Sequence, residues 1–519
     1  MPHAELDPTD SNFTMKPSQT APLRSRRDLL LLGSALTAGG IFSVVAPLGL
    51  SYADDLRPQR LTVDGTRTMF RIRLETDATG NVNLPDNPLV SSKSTKMLPL
   101  KSAAVFDYEE RLRRPERADT DSIVPAAERY FHEAQSESEV NRATIKCQLR
   151  QAVRSTIVRR ETLPETTYCS EGFLSHEELD LLRMPVSSIA IEQLLPTDPV
   201  VQGDQYVIES ESLESLLNLT AVDASEMKGE IVSLSAKEAK LQLRGDLDGS
   251  VDGVPTKIRV VGKMTFDRTL GVTTWLAMAI HETREISKAE PGFDVATTVK
   301  MLRKPIDQPN AMAKQPALIQ FTSPPPVEQL YVEIRSDVLG FEALMDRRWR
   351  MMSDRPGHVM MRKIDHDRSI AQCDFRQLSA LPAGRQWTID SLQQDVRKTL
   401  GEQWREFVSS NQRVSDTGLN VMTLVARGAV QEVPIHWVIQ HYQDDSGRRL
   451  LATFTMDGDS VNTFSGSDDQ LASTLTMLER TSTAGRTEEL AKKETLGDRT
   501  SDELGRISKK PIQSASDTK

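Results

Sequence analysis

The chain has 519 residues, with 64 Lys and Arg against 74 Asp and Glu, a net charge of −10, and basic residues interspersed among acidic ones. That balance excludes a dedicated nucleic-acid binder, because duplex affinity rests on neutralising phosphates. Hydrophobic residues at 38% suffice for packed cores, while three cysteines are too few for a disulfide scaffold.

The first predicted element, 1–53, is a leader with an export signal. Ser25-Arg26-Arg27-Asp28-Leu29-Leu30 opens an apolar run that ends at Leu50, and Ser51-Tyr52-Ala53 puts small residues where a signal is cut, with Ala53 as the cleavage position. The pair Arg26 and Arg27 resembles the twin-arginine (Tat) consensus, with Leu29 standing where that consensus has Phe. Gly33, Ser34, Thr37, Gly39 and Gly40 dilute the apolar run, as in signals of that type. The resemblance implies passage through the Tat translocase to the periplasm or the cell envelope. Two alternatives stay open. One is a Sec-type signal beside an incidental arginine pair. The other is an uncleaved N-terminal anchor, because about 20 apolar residues cross a bilayer.

The stretch 56–303 reads as an α+β module. Thr68–Leu74 alternates apolar and charged residues, as a half-buried strand does. Ser175-His176-Glu177-Glu178 is a capping box ahead of a short helix, and a second short helix is predicted from Ser188 to Leu195, stopping at Pro196. Ala239–Arg244, Thr256–Val261 and Val272–Ile280 alternate again, punctuated by Asp248-Gly249, Asp252-Gly253 and Asp267–Gly271. The expectation is an antiparallel meander with short helices inserted. Cys147 and Cys169 are close enough in sequence to pair in an oxidising compartment, a bridge typically worth ~2–4 kcal/mol. Cys373 is then left over as a buried, unreactive thiol.

Residues 304–326 hold Pro305, Pro309, Pro316 and Pro324-Pro325-Pro326 and read as a Pro-rich linker. The module 327–478 follows. Gln329–Ile334, Arg347–Arg362 and Ser369–Leu378 are predicted strands. Asp390 opens a helix whose apolar stripe is Leu392, Val396, Leu400, Trp404 and Phe407. Strands at Leu419–Arg427, Pro434–Tyr442 and Arg449–Met456 lead to a second capping box at Ser467 and a closing helix. This order of elements resembles the PsbP-like α/β/α sandwich. The resemblance implies a binding or assembly module rather than an enzyme. The first module resembles the half-open β-barrels of lipoprotein carriers such as LolA, which implies a cavity for an apolar ligand. The tail, 479–519, has no aromatic residue and reads as disordered.

Constellations that carry chemistry are weak. His281-Glu282-Thr283-Arg284-Glu285 lacks the second His of a zincin helix, and its alternation makes it a strand in which Glu282 and Arg284 pair. Asp246, Asp248 and Ser250 match the first calcium-loop positions, but Val251 and Lys257 stand where Gly and Glu are needed, so a hairpin is expected. His436 and His441 fall on opposite faces of one strand. His358 and Asp365-His366-Asp367 complete the set of candidates, the latter as a solvated turn. No metal site, cofactor or catalytic residue is assigned. The expected function is non-enzymatic binding in the bacterial cell envelope, with a protein partner. Carriage of an apolar ligand is the alternative, and an envelope hydrolase is the third reading.

The export reading has a direct test. Replacing Arg26 and Arg27 together by Lys should leave precursor in the cytoplasm on cell fractionation. Normal export of that variant would remove the Tat assignment and leave a general signal.

Overall fold

Period-two alternation governs most of the folded chain. Along Val254–Asp267 the side chains of Thr256, Ile258, Val260, Met264 and Phe266 are buried, while Lys257, Arg259 and Lys263 are exposed. This is the pattern of a strand with one dry and one wet face. The computed structural model describes residues 57–84, 96–113, 126–287, 291–312, 325–365, 368–382, 385–464 and 466–478. The predicted signal with Arg26, Arg27 and Ala53, and the tail 479–519, lie outside the described residues.

The first half supplies β1 (Met69–Leu84), β2 (Lys96–Arg113), β3 (Ala126–Val140), β4 (Ala143–Gln148), β5 (Ser155–Arg159), β6 (Thr166–Cys169) and the two-residue β7 (Leu174–Ser175). Helix α1 (His176–Leu182), β8 (Gln205–Val207) and helix α2 (Ser210–Leu217) follow. Then come β9 (Ala221–Ser225), β10 (Lys228–Leu234), β11 (Glu238–Val251), β12 (Val254–Asp267), β13 (Val272–Arg284) and β14 (Gly292–Pro305). All except β7 join one 13-stranded sheet. Its path is β6-β5-β3-β2-β1-β14-β13-β12-β11-β10-β8, with β4 on β3 and β9 on β11. Gly249, expected in a turn, lies inside β11, where an added Cβ would run into the Ala221 carbonyl of β9. The hairpin turns instead at Asp252 and Gly253, both with positive φ.

The dry face of this sheet is covered by the segment that carries α1, a 3-10 turn at Ile191–Leu194, and α2. The Ser175 capping box forms as expected, with Ser175 and Glu178 bonding reciprocally. Leu181, Val186, Ile191, Leu213 and Leu216 share one apolar cluster with Phe70, Ile72, Leu74 and Phe106 of the sheet. A buried ionic group fastens the cover. Arg129 Nε on β3 meets Glu110 Oε1 on β2 at 2.9 Å, both side chains being sealed from solvent. Ser188 donates to the same Glu110 oxygen at 2.7 Å and accepts from the Tyr108 hydroxyl at 3.0 Å. Ser187 donates to Glu165 at 3.0 Å. Removing one partner of such a buried pair typically costs ~3–5 kcal/mol.

The second half supplies β15 (Tyr331–Ser336), β16 (Phe341–Asp346), β17 (Trp349–Arg355), β18 (His358–Asp365), β19 (Arg368–Leu378) and helix α3 (Ile389–Leu400). Strands β20 (Trp404–Val414), β21 (Asn420–Val430), β22 (Val433–Gln443) and β23 (Arg449–Asp457) come next. The short helices α4 (Val461–Phe464) and α5 (Ser467–Thr474) and strand β24 (Thr476–Met477) end the described chain. Seven of these strands form an antiparallel sheet in the order β17-β18-β19-β23-β22-β21-β20.

The expected fold class, α+β with a PsbP-like α/β/α sandwich, is overturned. The described chain is predominantly antiparallel sheet with five short α-helices. One face of the seven-stranded sheet carries α3, and the other buries Val359, Cys373, Tyr442, Ala452 and Phe454 in the same core as the first half. The predicted helix through Trp404 and Phe407 stops at Leu400, because Gly401 turns the chain at φ +54°, and both aromatics lie on β20. The Ser467 capping box is absent. Gly466 is the N-cap of α5, and the Ser467 hydroxyl accepts from the buried Lys363 ammonium at 3.0 Å.

The two halves also share more than the predicted boundary allows, and the described residues fall in one compact unit. The linker expected over 304–326 begins as the end of β14. The amides of Asn310, Ala311 and Met312 then donate to Glu109 on β2 at 3.1, 3.1 and 3.0 Å. Burial raises the Glu109 carboxyl pKa, but these amides and His132 outweigh it, so the group sits below its ordinary value.

A four-stranded sheet, β24-β16-β15-β7, joins the halves, with β7 parallel to β15 through Val332–Leu174 and Glu333–Ser175. Arg150 clamps this joint. Its Nε and Nη2 reach Glu178 at 2.8 Å each, and its Nη1 reaches Glu333 at 2.9 Å. Arg347 donates to the Thr167 carbonyl across the same seam, and to the Leu330 carbonyl on its own side. Arg150→Ala strips the buried Glu178 of its cation. Discounting for the half-exposed Arg150, the expected loss is about 2–3 kcal/mol. Urea unfolding should show it as a lower midpoint for the whole unit. An unchanged midpoint would mean that the clamp is not structural.

Candidate functional site

The seven-stranded sheet is only partly roofed. Helix α3 packs on β20 and β21. Beside it, over β22, β23 and β19, a groove of about 1230 Å³ stays open. Cross-strand register orders its floor. Ile439, Thr453 and Asp374 form one row, and His441, Leu451 and Arg376 form the next. Leu392, Val396 and Leu400 of α3 make one wall, Val338, Leu339 and His358 stand at the opposite rim, and Trp387 and Trp437 also line the space. Every floor strand is bonded on both sides, to β21 and β23, β22 and β19, or β23 and β18. The floor therefore offers side chains and no free backbone edge.

His441 is the unusual group next to the groove. It is 1% exposed, neither ring nitrogen has a hydrogen-bond partner, and the Trp387 ring lies over it with centroids 5.0 Å apart. Burial, aided by Arg449, pushes its pKa down to about 4, so the imidazole is neutral near pH 7. Arg449 in turn lies 5.1 Å from the Trp387 ring centroid.

A second cavity, of about 370 Å³, lies where β12–β14 meet α1 and α2, lined by Leu179, Leu182, Leu217, Ile258, Ile280 and Arg347 among others. Another space, of about 760 Å³, is lined mainly by polar residues of β10–β12, among them Glu230, Arg244 and Arg259.

The other residues singled out in the sequence are structural or dispersed. His281 pairs with Asp294 at 2.6 Å on exposed strand faces, and Glu282 pairs with Arg284 at 2.7 Å as expected. Asp246 is held by Arg259 at 2.6 Å, while Asp248 and Ser250 continue along the same face of β11. His436 and His441 do lie on opposite faces of β22, since only His441 shares the face of Trp437 and Ile439. Asp365 ends β18, and His366 and Asp367 lie outside the described residues. Cys147 and Cys169, a possible disulfide from the sequence, are free thiols here. Cys147 donates to the Glu177 carbonyl at 3.5 Å, and Cys169 is buried on β6. Cys373 is buried, and burial raises its pKa well above the ordinary thiol value. No metal-ligating group of three or more His, Cys, Asp or Glu exists among the described residues.

Trp387 and Arg376 carry no motif and were not singled out. A lone Trp in the polar stretch after Pro382 was the available signal. Among the described residues no helix is long and apolar enough to cross a membrane.

No family model and no curated protein matches the chain. Among solved structures, a Bacteroides thetaiotaomicron protein aligns at 9% identity over 28% of this chain and 48% of its own, with a TM-score of 0.21. The translocator domain of the autotransporter NalP from Neisseria meningitidis aligns at 8% identity over 75% and 86%, with a TM-score of 0.11. A Rh. blastica porin variant aligns at 7% identity over 74% and 99%, with a TM-score of 0.10. Scores this low carry no argument about fold or function.

The His441 environment yields a pH prediction. Its folded pKa lies below the unfolded value of about 6.5, so the unfolded chain takes up the proton first and stability falls as pH drops from about 6.5 towards 4. His441→Phe removes that proton site and an unsatisfied buried polar group. Between pH 7 and pH 4 the parent should lose about 3 kcal/mol more than the variant in urea unfolding. Equal losses would place His441 in a solvated or bonded setting.

Proposed function

We propose that this chain is an exported, non-enzymatic binding protein of the bacterial cell envelope, and that its ligand seats in the groove beside α3. The reading of export rests on Arg26, Arg27 and the apolar run that follows them. The observation that carries the binding reading is the groove itself, a concave space of about 1230 Å³ beside α3 in which Trp387, Leu400 and Leu451 keep partly exposed apolar surface. Concave, mostly apolar sites with a few polar groups are the ordinary form of a ligand pocket. The alternative, an apolar ligand carried on the dry face of the first half, has about 370 Å³ available against about 1230 Å³.

N-phenylnaphthylamine, an uncharged apolar dye, should bind saturably and quench tryptophan emission. Thr453→Trp, which fills the groove floor, should weaken that binding by about tenfold or more, equivalent to ~1.4 kcal/mol, with the thermal midpoint retained. Dye binding that is absent, or equal in parent and variant, would refute the groove as the ligand site.

A further inference from the structure

We infer that the groove beside α3 recognises a single-chain acyl amphiphile with an anionic head group. This inference rests on the reading of the groove as the ligand site. Three observations carry it.

The first is the absence of backbone partners. The floor strands β22, β23 and β19 have their amides and carbonyls committed to neighbours on both sides. A peptide laid across this face would lose hydration at its own amides with few partners to replace it, and unbonded buried amides are costly. An acyl chain makes no such demand. It gains by covering Trp387, Leu400 and Leu451, with Val338 and Leu339 at the rim, the apolar lining residues that keep solvent exposure.

The second is charge. Two acids and two cations line the groove: Asp374, Asp395, Arg376 and Lys398. The acids have company. Asp374 accepts from Gln372 at 2.8 Å, and Asp395 interacts electrostatically with Arg449. The Arg376 and Lys398 side chains have no hydrogen-bond or ion-pair partner among the described residues. These two cations, whose side chains have no partner there, complement an anionic head.

The third is His441. Its buried imidazole, with both nitrogens unbonded, sits in the same cross-strand row as Leu451 and Arg376. Arg376 therefore places a cation in the groove beside Leu451, in the row of the buried His441. A head-and-tail molecule uses both the cations and the exposed apolar lining, whereas an uncharged apolar ligand leaves the cations unused.

The test uses the parent protein with bound N-phenylnaphthylamine as reporter. Two competitors share the same acyl chain: oleate, with a carboxylate head, and monoolein, uncharged, each below its micelle concentration. Oleate should displace the dye at a concentration about tenfold or more below that needed for monoolein. In the double variant Arg376→Glu/Lys398→Glu, dye affinity should be retained, oleate should weaken by about tenfold or more, and monoolein should be unchanged. Both side chains are exposed, so the fold is expected to persist. Equal displacement by the two lipids, or an oleate affinity indifferent to the charge reversal, overturns the head-group recognition. A dye that binds but yields to neither lipid overturns the acyl ligand while leaving the groove as a binding site. A dye that never binds the parent removes the earlier reading instead.

Discussion

The parallel pairing of two residues, Leu174 and Ser175, with Val332 and Glu333 holds the two halves of this chain in one body. So short a ladder has little strength of its own. Arg150 supplies the rest by bridging Glu178, which caps the helix that follows β7, to Glu333 on β15. Burial raises the Glu178 carboxyl pKa, yet the bonds from Arg150 and Ser175 more than offset it, and the group remains ionised. One cation therefore ties a helix N-terminus, a strand of the first half and a strand of the second. The seven-stranded sheet can then lend one face to the common core and keep the other free for α3 and the groove.

A similar device works deeper in the first half. Glu110 and Arg129 are fully buried on adjacent strands, and Ser188 bonds to both. A large one-sided sheet has many ways to be covered by apolar side chains, because dispersion and the hydrophobic effect are not directional. A buried charged pair that needs Ser188 in place selects one of them. The same specificity leaves little vacant space on that face. The groove of about 1230 Å³ lies in the second half, where α3 covers only part of its sheet.

The legible parts of the sequence were those with one dominant period. Val254–Asp267 and Val272–Arg284 alternate cleanly and are strands, and Ser175 and Glu178 form the box that their spacing announces. The predicted helix through Phe407 shows how the signal can mislead. Strand β20 carries bulges at Trp404/Glu406 and Phe407/Ser409, which break period two and leave apolar residues three apart, the spacing of a helix. Ser467 misled differently, since its hydroxyl serves Lys363, about a hundred residues away in sequence, instead of its own helix. The joint was invisible for the same reason. Nothing local marks a two-residue strand, and Arg150 and Glu333 are 183 positions apart. The candidate groove was legible only in pieces. His441 and Trp437 could be put on one strand face, but not under Trp387 or beside Arg376, because those neighbours come from other strands and a loop.

Native mass spectrometry of the protein, isolated from the envelope without detergent, tests the functional account most directly. The account predicts a bound species with the mass of an acyl amphiphile on the parent protein, absent from a variant whose groove floor is filled at Thr453. A parent that carries no such species, or a filled variant that retains it, would contradict the assignment of the groove beside α3.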